Sequence, residues 1–432
     1  MKKSGLLLLT IFIVQSQLIN AQEAVTLQAC YQDALLSHPF AQEKQIQKEL
    51  WEIKDHNILI SWYPDINAGA NFLYNTNIAD LSDALAGIPV PGISDNIGSM
   101  PHDQYKFTID VNQVIWDGGA IKNSRELEEL GLQLSEQEIE IELYKVREKV
   151  NSTFFGLILL KRQKELLNSY LDLFANRISS MESAIENGMM LPVDKNSILA
   201  EQIKLRQQLK ETEIKISAFC ALLSDLIGKE ILPGTELLLP DITIKKDQDI
   251  KRPELLGLDF RIKQLEAGKS LLKSSRMPKA FGFATLGYGS PPGNNFFTDE
   301  FGTYAVVGAG ISWKILDWNN SKRERQKIEL NKTLIGNRKS DLENNICRAL
   351  VNKYSEIQAY TTMLESDREL ISLRKSISSA SESQFNNGSI TSSEYLSVLN
   401  LEKEAILSQN IHQVNLIKSH VEYLNISGNE IK

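Results

Sequence analysis

Residues 200 positions apart along this chain keep matching (187 to 387). Asn187-Gly188 recurs as Asn387-Gly388, and Ser197-Ile198-Leu199 recurs as Ser397-Val398-Leu399. Asp117 closes Val114-Ile115-Trp116 as Asp317 closes Lys314-Ile315-Leu316. Upstream the offset grows to 214 (39 to 253), pairing Pro39 with Pro253 and Pro64 with Pro278. A repeat this long is a duplicated structural unit, not a short solenoid module.

Each unit opens with a helix, about Leu27 to Ser61 in the first and Pro253 to about Ser275 in the second. Pro39 and Pro253 stand where a helix is broken or restarted, and Pro64 and Pro278 end it. The period then changes to two. Ile66, Ala68, Ala70, Phe72 and Tyr74 alternate with polar or small residues, as do Tyr105, Phe107, Ile109 and Val111. That predicts two strands, joined by a Gly- and Pro-rich loop over Asp80 to Met100. The second unit repeats them at Lys279 to Tyr288 and Tyr304 to Trp313, around a shorter loop. There Phe281 and Phe283 fall on the face that is polar in the first unit.

Each second strand hands over to a long helix. From Ala120 to Glu186 there is no proline, and the span is on the order of 100 Å. Its apolar seam runs Ile139, Leu143, Val146, Val150, Thr153, Leu157, Leu160, Lys164, Leu167, Leu171, Phe174, Ile178, Met181, Ile185. Steps of four and three predict a coiled coil. The matching helix, about Ser321 to Phe385, has a weaker seam through Ile346, Leu350, Ile357 and Leu364. Both are expected to stop at Asn-Gly, where glycine accepts a left-handed backbone. Return helices follow near Asp194 to Leu226 and Ser392 to Leu424.

The first residues read as an export address. Lys2 and Lys3 precede an apolar run from Gly5 to Ile19, and Ala21 is the expected cleavage point; an uncleaved anchor is the other reading. The domain organisation expected is 1–21 signal peptide, 22–230 first repeat, 231–252 an equatorial linker between repeats, and 253–432 second repeat. A net charge of -8 argues against a nucleic-acid partner. Cys30, Cys220 and Cys347 form no CxxC motif and no disulfide framework. Leu27-Gln28-Ala29-Cys30 is a poor lipid-attachment box, so the thiols are expected in helix seams. The five histidines are scattered, with no metal spacing. No nucleotide loop, serine elbow or paired carboxylates appear, so no enzyme, cofactor or metal site is expected.

Four strands with one apolar face cannot close a barrel alone, and an open edge cannot face lipid. Other copies of the chain must complete them. Three copies give twelve strands, and the same assembly bundles the long helices into a cylinder. A small soluble sheet packed on helices is the competing reading.

Taken in order, several motifs resemble the TolC-like outer membrane efflux proteins. They are Val25-Thr26-Leu27-Gln28-Ala29-Cys30, His38-Pro39, Val114-Ile115-Trp116-Asp117-Gly118-Gly119, and the two segments that follow Asn187-Gly188 and Asn387-Gly388. The resemblance covers nearly all of residues 22 to 428. It implies an α+β membrane protein whose duplicated unit is a β-hairpin plus long coiled-coil helices. As a homotrimer it would form a twelve-stranded β-barrel in the outer membrane of a Gram-negative bacterium and an α-helical periplasmic tunnel. The implied function is a passive exit duct in a tripartite efflux or type I secretion system. The implied partners are a periplasmic adaptor, an inner-membrane RND or ABC transporter, and outer membrane lipid. A periplasmic coiled-coil scaffold or adaptor without a pore is the alternative. The cargo is not legible.

The resemblance also assigns candidate residues. Asp194 and Glu394 would gate the periplasmic entrance, where a ring of carboxylates can bind cations; Asp194 could instead cap its helix. Asn187, Gly188, Met189, Leu191 and Pro192, with Asn387 and Gly388, would form adaptor-docking tips. The arginine that locks the closed tip in some relatives aligns with Ile390, and Ser197 and Ser397 stand where relatives carry a second acid. Asp117 and Asp317 are expected to cap the helices after the strands. Trp116, Trp313 and Trp318 suit a membrane-interface girdle, with core packing the alternative for Trp116.

Overall fold

A computed structural model of the chain describes residues 24–78, 101–188, 190–246, 249–295, 298 and 300–431. The expected signal peptide, the loop from Asp80 to Met100, and Met189 lie outside the described residues. The elements run β1 (Val25–Thr26), α1 (Leu27–Ser37), α2 (Phe40–Ile60), β2 (Asp65–Tyr74), β3 (Asp103–Trp116), α3 (Ala120–Glu186) and α4 (Pro192–Ile227). After β4 (Leu237–Leu238) come α5 (Pro253–Ser274), β5 (Lys279–Ser290), β6 (Gly302–Ser312), α6 (Asn320–Asn386) and α7 (Ser392–Ser427).

Local chemistry sets these boundaries. Thr26 caps α1 by accepting from the Ala29 amide at 3.2 Å. His38-Pro39 then separates α1 from α2, because proline offers no N–H and pushes His38 to extended backbone. Proline opens both α4 and α5, where a missing amide costs nothing. The α3 and α6 helices are 67 residues each, and Gly188 and Gly388 follow them in left-handed conformation.

Two compact units cut across the repeat, each drawing on both halves of the chain. One comprises the described residues up to Lys44, Gln137–Leu256 and the chain from Lys339; the other comprises Gln45–Glu136 and Gly257–Arg338. In the first unit, α1 packs its buried Leu27, Cys30 and Ala34 against Val150, Phe154 and Leu157 of α3 and Leu223 of α4. The segment expected as a linker is part of this core. Leu237 and Leu238 pair in parallel with Val25 and Thr26, and Ile231 is buried in the cluster. A second cluster joins Leu167, Phe174 and Met181 of α3 with Ile198 and Leu205 of α4 and Phe385, Tyr395 and Leu399 near the second tip.

The second unit carries a four-stranded antiparallel sheet in the order β2-β3-β5-β6. The two hairpins of the repeat therefore join through β3 and β5, and among the described residues β2 and β6 are free edges. The register places Asn67, Asp110 and Thr285 in one row and on one face. Thr285 Oγ1 donates to the Asp110 carboxylate at 2.6 Å, and Thr108 Oγ1 donates to it at 2.9 Å. The other face is apolar and exposed, with Ile66, Phe72, Phe107, Leu286, Val307 and Ile311 all uncovered.

The cysteine expectation needs correction. Cys30 and Cys220 are buried, but Cys347 is exposed. Burial pushes the Cys30 thiol up to about 12, as befits a core group. Among the described residues, no helix is long and apolar enough to cross a membrane.

Candidate functional site: the hairpin tips and the sheet

The two tips share a shape and differ in chemistry. At the first, the Gly188 amide donates to Ile185 O at 3.0 Å, and Asn187 Nδ2 donates to Ser183 O at 2.7 Å. Leu191 takes the N-cap position of α4 with no side-chain hydrogen bond, and Pro192 follows it. Leu191 and Val193 are both more than half exposed. Asp194 is therefore not the cap. It sits half-buried in the first turn, where the helix dipole favours a carboxylate.

At the second tip, the Gly388 amide donates to Phe385 O at 3.0 Å. Thr391 and Glu394 then form a reciprocal capping box. The Glu394 amide donates to Thr391 Oγ1 at 3.2 Å, and the Thr391 amide donates to Glu394 Oε2 at 2.8 Å. Those bonds hold the Glu394 carboxyl below its ordinary range, the backbone amide contributing most. The two acids proposed for one role from sequence thus have different local duties. Glu394 secures its own helix; Asp194 leaves the N-cap position to Leu191.

Sequence reasoning missed an arginine. Ile390 packs against the tip cluster, but Arg177 of α3 reaches across to the second hairpin and is only 9% exposed. It pairs with Glu382, donates to Asn386 Oδ1 at 2.6 Å and to the Tyr395 hydroxyl at 3.1 Å. Its guanidinium carbon lies 5.2 Å from the Tyr395 ring centre, and that ring stacks on Phe385 at 5.0 Å. One cation therefore joins α3, α6 and α7, from ten residues before Asn187 on the first hairpin to partners one and five residues before Asn387 on the second. The available signal was an arginine beside a seam position, Ile178, where a solvated charge is the ordinary reading. Further along, Lys403 of α7 lies 3.9 Å from Glu201 of α4, and burial lowers its pKa.

The strand-to-helix junctions contain the two expected aspartates. Asp117 accepts from the Gly119 amide at 2.8 Å and from the Ile121 amide. Asp317 accepts from the Ser321 amide at 3.0 Å and from its hydroxyl, and these bonds lower its pKa. Between cap and helix the backbone turns left-handed in both repeats. Gly118 and Gly119 do this in the first, at φ 73 and 86, while Trp318 and Asn319 do it in the second, at φ 52 and 60. Trp116, Trp313 and Trp318 are all exposed, which removes core packing as a reading of Trp116. Among the described residues, no cluster suits a metal ion.

This architecture is the fold of the TolC-like outer membrane channels: a two-hairpin sheet with two pairs of long antiparallel helices. The chain is similar to CusC, a protein described as forming a transmembrane channel, with a TM-score of 0.71 and 9% identity over 94% of this chain and 92% of that one. It is similar to the outer membrane protein VceC of Vibrio cholerae, with a TM-score of 0.66 and 12% identity over 94% and 97% of the two chains. It is also similar to the MtrE outer membrane channel of Neisseria gonorrhoeae, with a TM-score of 0.65 and 12% identity over 94% and 89%. No protein-family model matches the chain, and no curated protein matches its sequence.

Proposed function

We infer that this chain is the outer membrane exit duct of a tripartite efflux or type I secretion system. One observation carries the reading. The four-stranded sheet exposes a continuous apolar face, and among the described residues both of its edge strands are unpaired. Such a surface is costly in water and an aggregation hazard. Three copies pairing β6 of one chain with β2 of the next would close twelve strands, turn the apolar face to lipid and leave no edge. Asp110, Thr285 and their polar row would then line the bore.

The tips would meet a periplasmic adaptor, with an inner-membrane RND or ABC transporter beyond it. Exposed Leu191 and Val193 suit a helix-tip contact. Asp194 and Glu394 would contribute acids at the entrance, and the Arg177 bracket would hold the two hairpins of one chain together. The duct makes and breaks no bonds in this reading.

A test is reconstitution of the full, detergent-extracted protein into planar bilayers, with its mass measured in detergent. A trimer that carries current is expected. A protein that remains soluble without detergent and gives no conductance would return the reading to a pore-free periplasmic scaffold.

A further inference from the structure

A cavity of about 310 Å³ lies between α2, α3 and α5. Its lining follows from helix spacing. Gln47, Trp51 and Lys54 recur at steps of four and three along one face of α2. Glu128, Gly131 and Ser135 recur at steps of three and four along α3, and α5 contributes Gln264. Leucines of α2 and α3 make the rest of the wall. Gly131 keeps the space open, because α3 presents no side chain there.

Most of these polar groups are not used by the fold. The Trp51 indole N–H is buried and has no hydrogen-bond partner among the described residues. Nor do the side chains of Gln47, Ser135 and Gln264 form a hydrogen bond among the described residues. A buried donor without an acceptor costs free energy, and native structures rarely keep one. Lys54 and Glu128 pair at 3.3 Å, so the lining carries no net charge. A free cation or anion therefore finds no uncompensated counter-charge, and an apolar molecule would leave the indole N–H unsatisfied. A neutral molecule with several hydroxyl or amide groups satisfies the indole, the serine and both glutamines, while its C–H face packs on the leucines. The volume stands at the lower end of the roughly 300–1,000 Å³ of small-molecule sites, which suits one sugar ring and not a drug-sized ligand.

We propose that this cavity binds a single neutral saccharide ring, free or at the end of a glycan chain. Trp51 donates to a sugar oxygen, and Gln47, Ser135 and Gln264 exchange hydrogen bonds with the hydroxyl or acetamido groups. Nothing in the proposal depends on a closed barrel, so it stands apart from the exit-duct reading.

The test is saturation-transfer NMR on the full protein in a zwitterionic, sugar-free detergent, with N-acetylglucosamine as the probe. Glucuronate, glucosamine and hexanol are the anionic, cationic and apolar controls. Wild type should bind N-acetylglucosamine more tightly than any control. Trp51→Phe/Gln264→Leu keeps the bulk, deletes two hydrogen-bonding groups and should weaken binding roughly tenfold. Gly131→Met should abolish it by filling the cavity. The added Cβ meets only Gln264 Nε2 at 3.5 Å, an ordinary contact, and glycine is a poor helix former, so the fold should survive. Chitotriose binding as tightly as the single sugar assigns the site to a chain end; binding of the single sugar alone assigns it to a free saccharide. No binding to wild type, equal binding in all three proteins, or tighter binding of a control overturns the proposal. None of these outcomes touches the conductance that tests the duct.

Discussion

The two copies of the repeat build the same hairpin from unlike interiors. Along α3 and α4 most buried residues are large and apolar, with Phe154, Leu157, Leu167, Phe174 and Met181 facing Ile198, Leu205 and Leu223, beside a polar minority of Asn151, Thr153, Arg177, Gln202 and Thr212. Along α6 and α7 the buried apolar residues are fewer, among them Ile346, Ile357, Phe385, Leu399 and Val414, and Asp367, Ser378, Ser381 and Ser392 are buried with them, Asp367 contacting His412 at 2.7 Å. Burial of apolar area is the main force holding helices together in water. The first hairpin is therefore the firmer wall, and the second is the element that can shift at lower cost. Arg177 is the tie between them.

The largest effect should follow from emptying the firm hairpin. Phe154→Ala removes a fully buried ring and should cost about 3–5 kcal/mol. Ile357→Ala in the weaker seam should cost about 2 kcal/mol. Thermal melts of the two variants in detergent would measure the gap; equal losses would end the distinction between firm and loose hairpins.

Next comes the tie itself. Arg177→Met should cost about 1–2 kcal/mol, modest for a buried arginine because Glu382 is 46% exposed and can be rehydrated. Resting conductance should rise several-fold if the bracket restrains the second hairpin. Arg177→Lys should not restore it, because an ammonium cannot span Glu382, Asn386 and Tyr395 with a planar fork. A conductance unchanged in both variants would leave the bracket with stability alone.

The turns after the strands give a smaller and opposed pair. Trp318→Gly relieves a left-handed backbone and should stabilise by about 1 kcal/mol, while Gly118→Ala should destabilise by at least as much. In Gly118 the added Cβ would also meet the Met277 Cβ at 2.5 Å. Retaining an exposed tryptophan in a strained turn suits an aromatic held at a membrane interface, so Trp318→Gly should also weaken retention in bilayers.

The smallest change separates the two acids. Glu394→Gln keeps the capping box and removes the charge, whereas Glu394→Ala loses both. With Asp194→Ala in each background, cation selectivity should fall equally in both double variants, and only Glu394→Ala should melt earlier. The folded pKa of Glu394 is depressed, so its cap contributes fully above the ordinary value of 4.5 and is lost as pH falls through the lower folded value. Asp194 has no part in a cap, so a loss of melting temperature in Asp194→Ala as large as that in Glu394→Ala would refute the comparison.

Much of this molecule was legible in its residues. The paired prolines and Asn-Gly steps placed the ends of α2, α3, α5 and α6 within a residue or two, since backbone geometry at proline and glycine is local. Alternation at Ile66 to Tyr74 and Tyr105 to Val111 gave the strands and their apolar face. Within the segment at 231–252, read as an equatorial linker, no local pattern showed that Leu237 pairs with Val25, because that partner lies more than 200 residues away in sequence. Phe281 and Phe283 looked out of phase until the register set them over Gly310 and Gly308. Arg177 drew no reading from the sequence, because its partners Glu382, Asn386 and Tyr395 lie more than 200 residues away.

The sequence by itself determined the repeat, the lengths of its helices and the pleat of its strands, because each depends on neighbours within a few residues. Only the tertiary structure decided which arginine ties the two hairpins, which acid is spent on a cap, and which glycines the sheet's rings cover. Those outcomes depend on register and on contacts between residues hundreds of positions apart, and no local pattern carries that information.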